Sequence, residues 1–381
     1  MGDLTEYRNR IDAIDRKITA LFEERMDVVL DVARYKLAHN LEVFQGTREA
    51  QVLEKVQALL ENHAYDAGVR ELYTALMNIS KDYQRQLLSE ERQSCQELSP
   101  LRAQGAIAYQ GVPGSFSEQA LRELFGEEVP VRRTDTFEEL CQLVQGGEVP
   151  CGVLPVENTT TGSVFEVYDL LEKYNLSVVG ERVIGVQQHL LALPGARLDD
   201  IREVYSHSQG IAQCAGFLHT HPGWRLIPYY NTATSAKYVS ECGDQTRAAI
   251  ASRRAASLYG LTILAEAIND VRDNNTRFLV VTREPMRGPG NKATAVFTLK
   301  NRPGTLAQLL TVFAQRGINM TKIESRPIPH RPFEYRFYGD FSGDLGENFQ
   351  EAEMVAQSLS EHWRLLGIYQ AHKMGGRTLG G

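Results

Sequence analysis

The chain has 381 residues, 43% hydrophobic and 23% charged, with a formal net charge of -7. This is the composition of a folded protein with room for two or three cores, and the negative charge argues against a nucleic-acid partner, which needs a clustered positive surface. No apolar run approaches the roughly 18 residues that cross a bilayer, and Met1–Glu6 is polar and acidic. Gly2 lacks the Ser or Thr at position 6 of a myristoylation signal. The five cysteines form no CxxC pair and suggest neither a disulfide framework nor a zinc site. The expectations are a cytoplasmic protein with no metal or other cofactor, meeting any anionic substrate with local cations.

From residue 4 to about 93 there is no proline, and Leu4, Tyr7, Ile11, Ile14, Ile18, Leu21, Arg25, Val28, Val32 and Tyr35 keep the 3,4 spacing of a helix seam that packs on other helices. Arg25 is the wrong residue for such a seam: a buried guanidinium needs an anion from the protein or from a ligand. Lys36 returns to nearly the same azimuth about three turns later. Thr47 is placed to cap a second helix, with Arg48 and Glu49 in its first turn. A third helix carries the stripe Tyr73, Met77, Ser80, Gln84, Leu87, whose middle is polar. A lone arginine in a helix is usually a solvated or snorkelling residue; the set together is harder to explain that way. It resembles the three-helix chorismate mutase domain.

The resemblance implies an intertwined dimer in which Arg8, about 100° off the Arg25 face, reaches the partner's site. It also implies that Arg8 and Arg25 clamp carboxylates, Arg48 and Ser80 support binding, Glu49 accepts the ring hydroxyl, and Lys36 and Gln84 donate to the ether oxygen. The reaction is pericyclic and needs no proton transfer, so holding the reactive conformer and stabilising charge on the breaking C–O bond suffice. The family often has Asp where this chain has Gln45, an exchange that keeps an acceptor and loses a charge.

The stretch Gln93–Pro100 loses periodicity and reads as a linker within 94–104. Beyond Ala106, short apolar runs (Ile107–Tyr109, Cys151–Leu154, Leu176–Val179) alternate with helical stretches, the pattern of an α/β sheet domain. Four segments carry its chemistry: Gly111–Glu118, a turn and capping box (Ser115, Glu118) that presents helix N–H groups able to hold a carboxylate; Pro155–Ser163; Asn231–Ala236; and Asn274–Phe278. Singly, each Ser/Thr/Asn cluster reads as a turn or cap. In this order and spacing they resemble prephenate dehydratase, with GxxGSFSxxA, PxENTxxG, a TxTSA-like loop and TRF.

That resemblance implies a bilobal domain like periplasmic binding proteins, with Val178–Leu193 as one long strand-like run crossing between lobes and a return near Ala265–Asn275. Thr276 would be the hydrogen-bond donor to the departing hydroxyl, a role that suits a hydroxyl too weakly acidic for full protonation. Arg277 and Phe278 would shape the site, and Ser115, Asn158, Thr159, Ser206, Gln209, Gln213, Thr234 and Ser235 would position substrate. His207 reads as a packed or capping residue rather than a base, and His219 and His221 lack partners at metal-ligand spacing.

After a break at Arg283–Gly290, the chain predicts strand (Thr294–Lys300), helix (Thr305–Arg316), strand (Ile318–Ser325), strand (Phe333–Phe341), helix (Glu347–His362), strand (Leu365–Tyr369), the ferredoxin-like βαββαβ order. The Pro303-Gly304 turn and Glu324-Ser325-Arg326-Pro327 resemble the ACT module of prephenate dehydratases. This implies phenylalanine at Gly304, Thr305, Leu306, Glu324 and Ser325 and feedback inhibition, which requires unequal binding to two states. The plain alternative is a ferredoxin-like dimerising module.

The whole therefore reads as a multidomain chain: an all-α mutase domain (1–93), an α/β dehydratase domain (105–284) and an α+β ACT regulatory domain (292–374), forming a homodimer or higher homo-oligomer that acts on chorismate and prephenate. Two competing readings are a non-catalytic sensor, against which Thr276-Arg277-Phe278 speaks, and a dehydratase whose helical domain only dimerises, against which the Arg8, Arg25, Lys36, Arg48, Glu49, Gln84 set speaks.

Overall fold

The computed structural model describes residues 4–38, 46–286, 290–300, 302–328, 331–343 and 345–372. The chain divides into two compact units, the first ending at Gln96 and the second spanning Glu97–His372.

Three helices, α1 (Leu4–Ala38), α2 (Gly46–Ala58) and α3 (Asp66–Glu97), make up the first unit. Met26 and Leu30 of α1 and Met77 of α3 are buried. Neither Met26 nor Leu30 lies on the expected seam, whose Leu4, Tyr7, Ile11, Ile14, Ile18, Leu21, Val28 and Val32 are all exposed, while the Tyr35 side chain lies outside the described residues. The described contacts of α1 with α3 fall in Arg25–Val29, and residues 4–21 of α1 are all exposed.

The residues read as a linker are largely helical. α3 continues to Glu97, and α4 (Ser99–Arg102) follows with Pro100 in its first turn, where a missing N–H costs nothing. Leu98 and Leu101, three apart, are drawn into the core beside Ile107 and Val179.

The second unit then runs β1 (Ile107–Gln110), α5 (Phe116–Phe125), β2 (Val131–Thr134), α6 (Phe137–Gly146), β3 (Gly152–Asn158), β4 (Gly162–Ser163), α7 (Phe165–Lys173), β5 (Ser177–Gly185), β6 (His189–Ala192), β7 (Glu203–Ser206), α8 (Ser208–Gln213), α9 (Ala215–His219), β8 (Arg225–Pro228), α10 (Thr232–Cys242), β9 (Arg247–Ala251), α11 (Arg253–Leu258), β10 (Thr262–Ala265) and β11 (Asn275–Thr282). β12 (Lys292–Leu299), α12 (Thr305–Ala314), β13 (Asn319–Ile328), β14 (Arg331–Ser342), α13 (Glu347–Leu359) and β15 (Ser360–Tyr369) complete it.

One sheet has the order β2-β1-β3-β11-β5, with β4 on β3; a second has the order β10-β6-β9-β7-β8. The expected long strand is two, β5 in the first sheet and β6 in the second, joined by Val186-Gln187-Gln188, and the chain returns through 266–274. Hydrogen bonds tie the crossings: Val186 N to Asn274 O at 2.7 Å and Ile268 N to Gln188 O at 2.8 Å.

The last sheet is antiparallel, β13-β14-β12-β15. Its second helix ends at Leu359 rather than His362. Ser360 turns extended (ψ 152°) and its hydroxyl donates to Ala356 O at 2.7 Å, closing the helix end and freeing Trp363 to stack on Phe297. One continuous core joins this sheet to the first: Val296, Tyr338, Leu366 and Tyr369 pack with Leu154, Tyr168, Val178 and Leu279. The approach of β15 to β5 is so close that a Cβ at Gly367 would lie 1.8 Å from Val178 O, so only glycine fits there.

Candidate functional sites

In the helical unit, Arg25 donates to Ser80 Oγ at 2.6 Å and to Leu76 O at 3.5 Å. Ser80 in turn donates to Leu76 O at 2.6 Å, and Gln84 donates through Nε2 to Val29 O at 3.0 Å. Ser80 and Gln84 are buried, one turn apart on α3, facing the Arg25 segment. Among the described residues the half-buried Arg25 guanidinium meets the neutral oxygens of Ser80 and Leu76. Arg8 is exposed farther along α1. The side chains of Lys36, Arg48 and Glu49, and all of Gln45, lie outside the described residues; α2 starts at Gly46, ahead of Thr47.

In the first α/β sheet, β3 and β11 run antiparallel with Asn158 opposite Thr276. Asn158 Oδ1 accepts from the backbone N–H groups of Thr160 (2.9 Å) and Thr161 (3.1 Å), which fixes the amide orientation. Its Nδ2 then points to Thr276 Oγ1 at 2.9 Å, Asn274 Oδ1 at 2.7 Å and Asn275 O at 3.1 Å. Thr276 thus accepts a hydrogen bond and keeps its own proton for another acceptor. Thr159 spans the same loops, donating to Asp273 O and accepting from Asn275 N at 2.9 Å.

The other two residues of the TRF segment go elsewhere. Phe278 is buried in the sheet's core with Tyr109 and Val153. Arg277 faces the side of the sheet covered by β14: its guanidinium meets Asp340 Oδ2 at 2.6 Å, Glu181 Oε2 at 3.3 Å, Glu157 Oε2 at 3.3 Å and the Tyr168 hydroxyl at 3.1 Å. Burial opposes the Arg277 charge, but Asp340, Tyr168 and Glu181 outweigh it and raise its pKa. The described partners of Arg277 are therefore protein carboxylates rather than a face open to substrate.

Ser115 caps α5, accepting from Glu118 N at 3.3 Å. The other half of the capping box reaches one residue further back, with Glu118 accepting from Gly114 N at 2.7 Å. The helix entrance therefore already holds one carboxylate of its own. Glu118 also faces Arg122 and Arg254, each at 3.4 Å. Burial raises its pKa, but Gly114 N–H and Arg254 outweigh that and hold it below the usual value. Gly114 (φ +85°) seats against Ala255 of α11, 3.3 Å from where a Cβ would stand.

In the second sheet Ser206 ends β7, fully buried, and donates to Ile250 O at 2.8 Å. Gln209 N donates to His207 Nδ1, making His207 a helix cap. Asn231 caps α10 by accepting from Thr234 N at 2.7 Å, and the buried Ser235 donates back to Asn231 O. Gln213 Oε1 accepts from Gln188 Nε2 at 3.4 Å. The segment after β7 and the start of α10 adjoin, since a Cβ on Gly210 would touch both Ser206 Oγ and Thr232. His219 bonds Ala215 O, while His221 stacks on Trp224 with ring centroids 4.0 Å apart.

Sequence reasoning missed Gln188 and gave Asn274 no role of its own within its segment. Asn274 was legible as the neighbour of Asn275 in its motif; Gln188 lies in a crossing whose sequence reads as continuous strand. Among the described residues no group of His, Cys, Asp or Glu could hold a metal ion, and no helix is long and apolar enough to cross a membrane. Burial pushes the Cys141 and Cys214 thiols up to about 12, so neither is a nucleophile at neutral pH.

At the start of α12, Gly304 (φ +84°) supplies a left-handed turn with open space around it, so conformation and not close approach selects glycine. Thr305 and Leu306 line a cavity of about 140 Å³ with Arg302, Phe333, Tyr335 and Phe337. Glu324, on β13, accepts from Ser163 Oγ at 2.7 Å, and so faces β4; Ser325 pairs with Phe337 in the β13–β14 ladder.

These features define a multidomain enzyme: a helical unit with a half-buried guanidinium, and a two-sheet α/β domain continuous with a ferredoxin-like module. Family comparisons divide it the same way. The chorismate mutase type II model matches residues 7–85, prephenate dehydratase 107–286 and the ACT domain 293–345. The chain is 33% identical to the bifunctional chorismate mutase/prephenate dehydratase of Aquifex aeolicus (strain VF5), covering 97% of each chain. The Escherichia coli (strain K12) enzyme of the same name is 30% identical, again over 97% of each. Among solved structures, prephenate dehydratase from Arthrobacter aurescens in complex with L-Phe is 31% identical with a TM-score of 0.61, covering 70% of this chain and 90% of that one. The chain belongs to the bifunctional chorismate mutase/prephenate dehydratase family, and it carries both activities in phenylalanine biosynthesis.

Proposed function

We propose that Thr276 assists the dehydratase step by donating a hydrogen bond from its hydroxyl to the leaving oxygen of prephenate. Loss of the ring carboxylate as carbon dioxide supplies the electron pair that expels hydroxide as the ring becomes aromatic, so charge appears on that oxygen in the transition state. The observation that carries this reading is the 2.9 Å bond from Asn158 Nδ2 to Thr276 Oγ1, which leaves the threonine proton unspent. Ser115, Asn158, Thr159, Ser206, Gln209, Gln213, Thr234 and Ser235 position the substrate; Phe278 acts by packing beneath them.

In the mutase, Arg25 with Ser80 binds a carboxylate of chorismate, Lys36 and Gln84 donate to the ether oxygen, and Arg48 and Glu49 complete the site. Gln84 Nε2 gives one of its two N–H groups to Val29 O and has the other to offer. Arg8 serves the partner subunit's site. The exposed seam of α1 supports this, since a second copy of the chain would bury it in a homodimer.

Phenylalanine binds the ACT module at Gly304, Thr305, Leu306, Glu324 and Ser325 and inhibits the dehydratase. Support comes from the cavity beside Thr305 and Leu306, and from the related dehydratase solved with L-Phe. The chain works in the cytoplasm without a metal or other cofactor, with functional boundaries at 1–93, 105–284 and 292–374. A coupled assay starting from chorismate, with and without phenylalanine, tests all three parts. Unchanged chorismate rejects the mutase assignment, accumulated prephenate rejects the dehydratase assignment, and phenylpyruvate release indifferent to phenylalanine rejects the regulatory one.

A further inference from the structure

Asn158 and Thr276 meet on one side of the β3–β11 ladder, while their chain neighbours Glu157 and Arg277 meet on the other at 3.3 Å. That second side is covered by the ACT sheet. Arg277 is 8% exposed, Glu181 and Asp340 3% each. Lys292 Nζ lies 2.8 Å from Glu181 and 3.9 Å from Asp340, and Thr294 donates to Asp340 Oδ1 at 2.7 Å. A second, shallower limb runs alongside: Lys322 of β13 reaches Glu157 at 2.9 Å and Ser163 Oγ at 2.7 Å. With Glu324, 3.7 Å from Lys322, four carboxylates and three cations are thus interleaved, two of the cations and two of the carboxylates coming from the ACT strands.

A buried guanidinium with partners on three sides has few alternative placements, because moving it away from one carboxylate leaves that charge uncompensated. The strand bearing Arg277 is held correspondingly, and Thr276 is the adjoining residue on that strand. We propose that Arg277 is a positioning residue of the dehydratase, setting Thr276 against Asn158, and that Asp340 is the ACT-side contact through which phenylalanine binding is communicated to that pair. The second half rests on the inhibition described above; the first does not. A shift of β14 relative to β11 changes the Arg277 to Asp340 contact first, and the coupling has a contiguous physical route.

The test uses the full chain and four readouts: mutase rate as a folding control, dehydratase kcat and KM, labelled-phenylalanine binding by equilibrium dialysis, and inhibition by phenylalanine. Arg277→Lys keeps the charge and loses the fork; it is expected to lower dehydratase kcat by about tenfold or more with KM within about threefold. A rise in KM alone would make Arg277 a substrate ligand and overturn the positioning role. Asp340→Asn is expected to bind phenylalanine within about threefold of the parent while the concentration needed for inhibition rises about tenfold or more. Thr294→Val, which removes the donor to Asp340 Oδ1, tests the same contact if Asp340→Asn does not fold, with the same separation in smaller degree. Parent-like inhibition in the folded variants overturns the Asp340 route. If the parent chain binds phenylalanine without inhibition, the regulatory reading and the Asp340 route fail together, and the Arg277→Lys kinetics still decide the positioning role.

Discussion

Asn158 Nδ2 stands 2.9 Å from Thr276 Oγ1, and the two residues are direct partners in the antiparallel pairing of β3 with β11. The pair joins the second and fourth polar segments of the α/β domain, 118 positions apart in the chain, into one donor arrangement.

Replacing Thr276 by Val removes the hydroxyl and keeps the shape. Dehydratase kcat is expected to fall by about a hundredfold or more, the usual cost of losing one donor to a developing oxyanion. Thr276→Ser should recover much of it, and mutase activity measured on the same preparation should not move.

Arg25→Ala takes away the half-buried guanidinium that Ser80 supports. Chorismate consumption should drop at least about a hundredfold, in line with loss of a charge-assisted clamp. Prephenate turnover, assayed separately, should stay at the parent level.

Ile14→Glu with Ile18→Glu places two charges on the exposed apolar face of α1. Sedimentation velocity should show the parent as a dimer and the double variant shifted to monomer at micromolar concentration. A monomeric parent would show that this face has no second copy on it.

Glu118 contributes stability that depends on acidity. Its folded pKa lies below the ordinary 4.5, so the contribution is complete above about that pH and is lost as pH falls through the folded value. The melting temperature of Glu118→Gln should therefore lie below that of the parent at pH 7, by a few degrees for about 1 kcal/mol in a domain this large. The gap should narrow as the pH is lowered through the folded pKa of Glu118, which lies below the ordinary value. A gap independent of pH would show that ionisation of Glu118 is not what stabilises the loop.

Periodicity carried much of the fold. The three helices, the α/β alternation and the βαββαβ order all follow from apolar spacing, because side-chain burial repeats at 3.6 or 2 residues whatever the tertiary context. Ser115, Asn231 and His207 were readable as caps for the same local reason. What could not be read is non-local. Leu98 and Leu101 looked like linker residues because their covering surface lies elsewhere in the chain. Arg277 enters the site through its place in the TRF motif; the sequence does not show that the pleat turns it to the face opposite Thr276, where it meets Glu181 and Asp340, both far away in sequence. The α1 seam was correctly seen as apolar, yet a single chain does not say what covers it.

The shared core of Val296, Tyr338, Leu366 and Tyr369 with Leu154, Val178 and Leu279 makes the dehydratase sheet and the ACT sheet one cooperative body. Heating should melt the two in a single calorimetric transition, with no earlier step that belongs to the ACT strands alone.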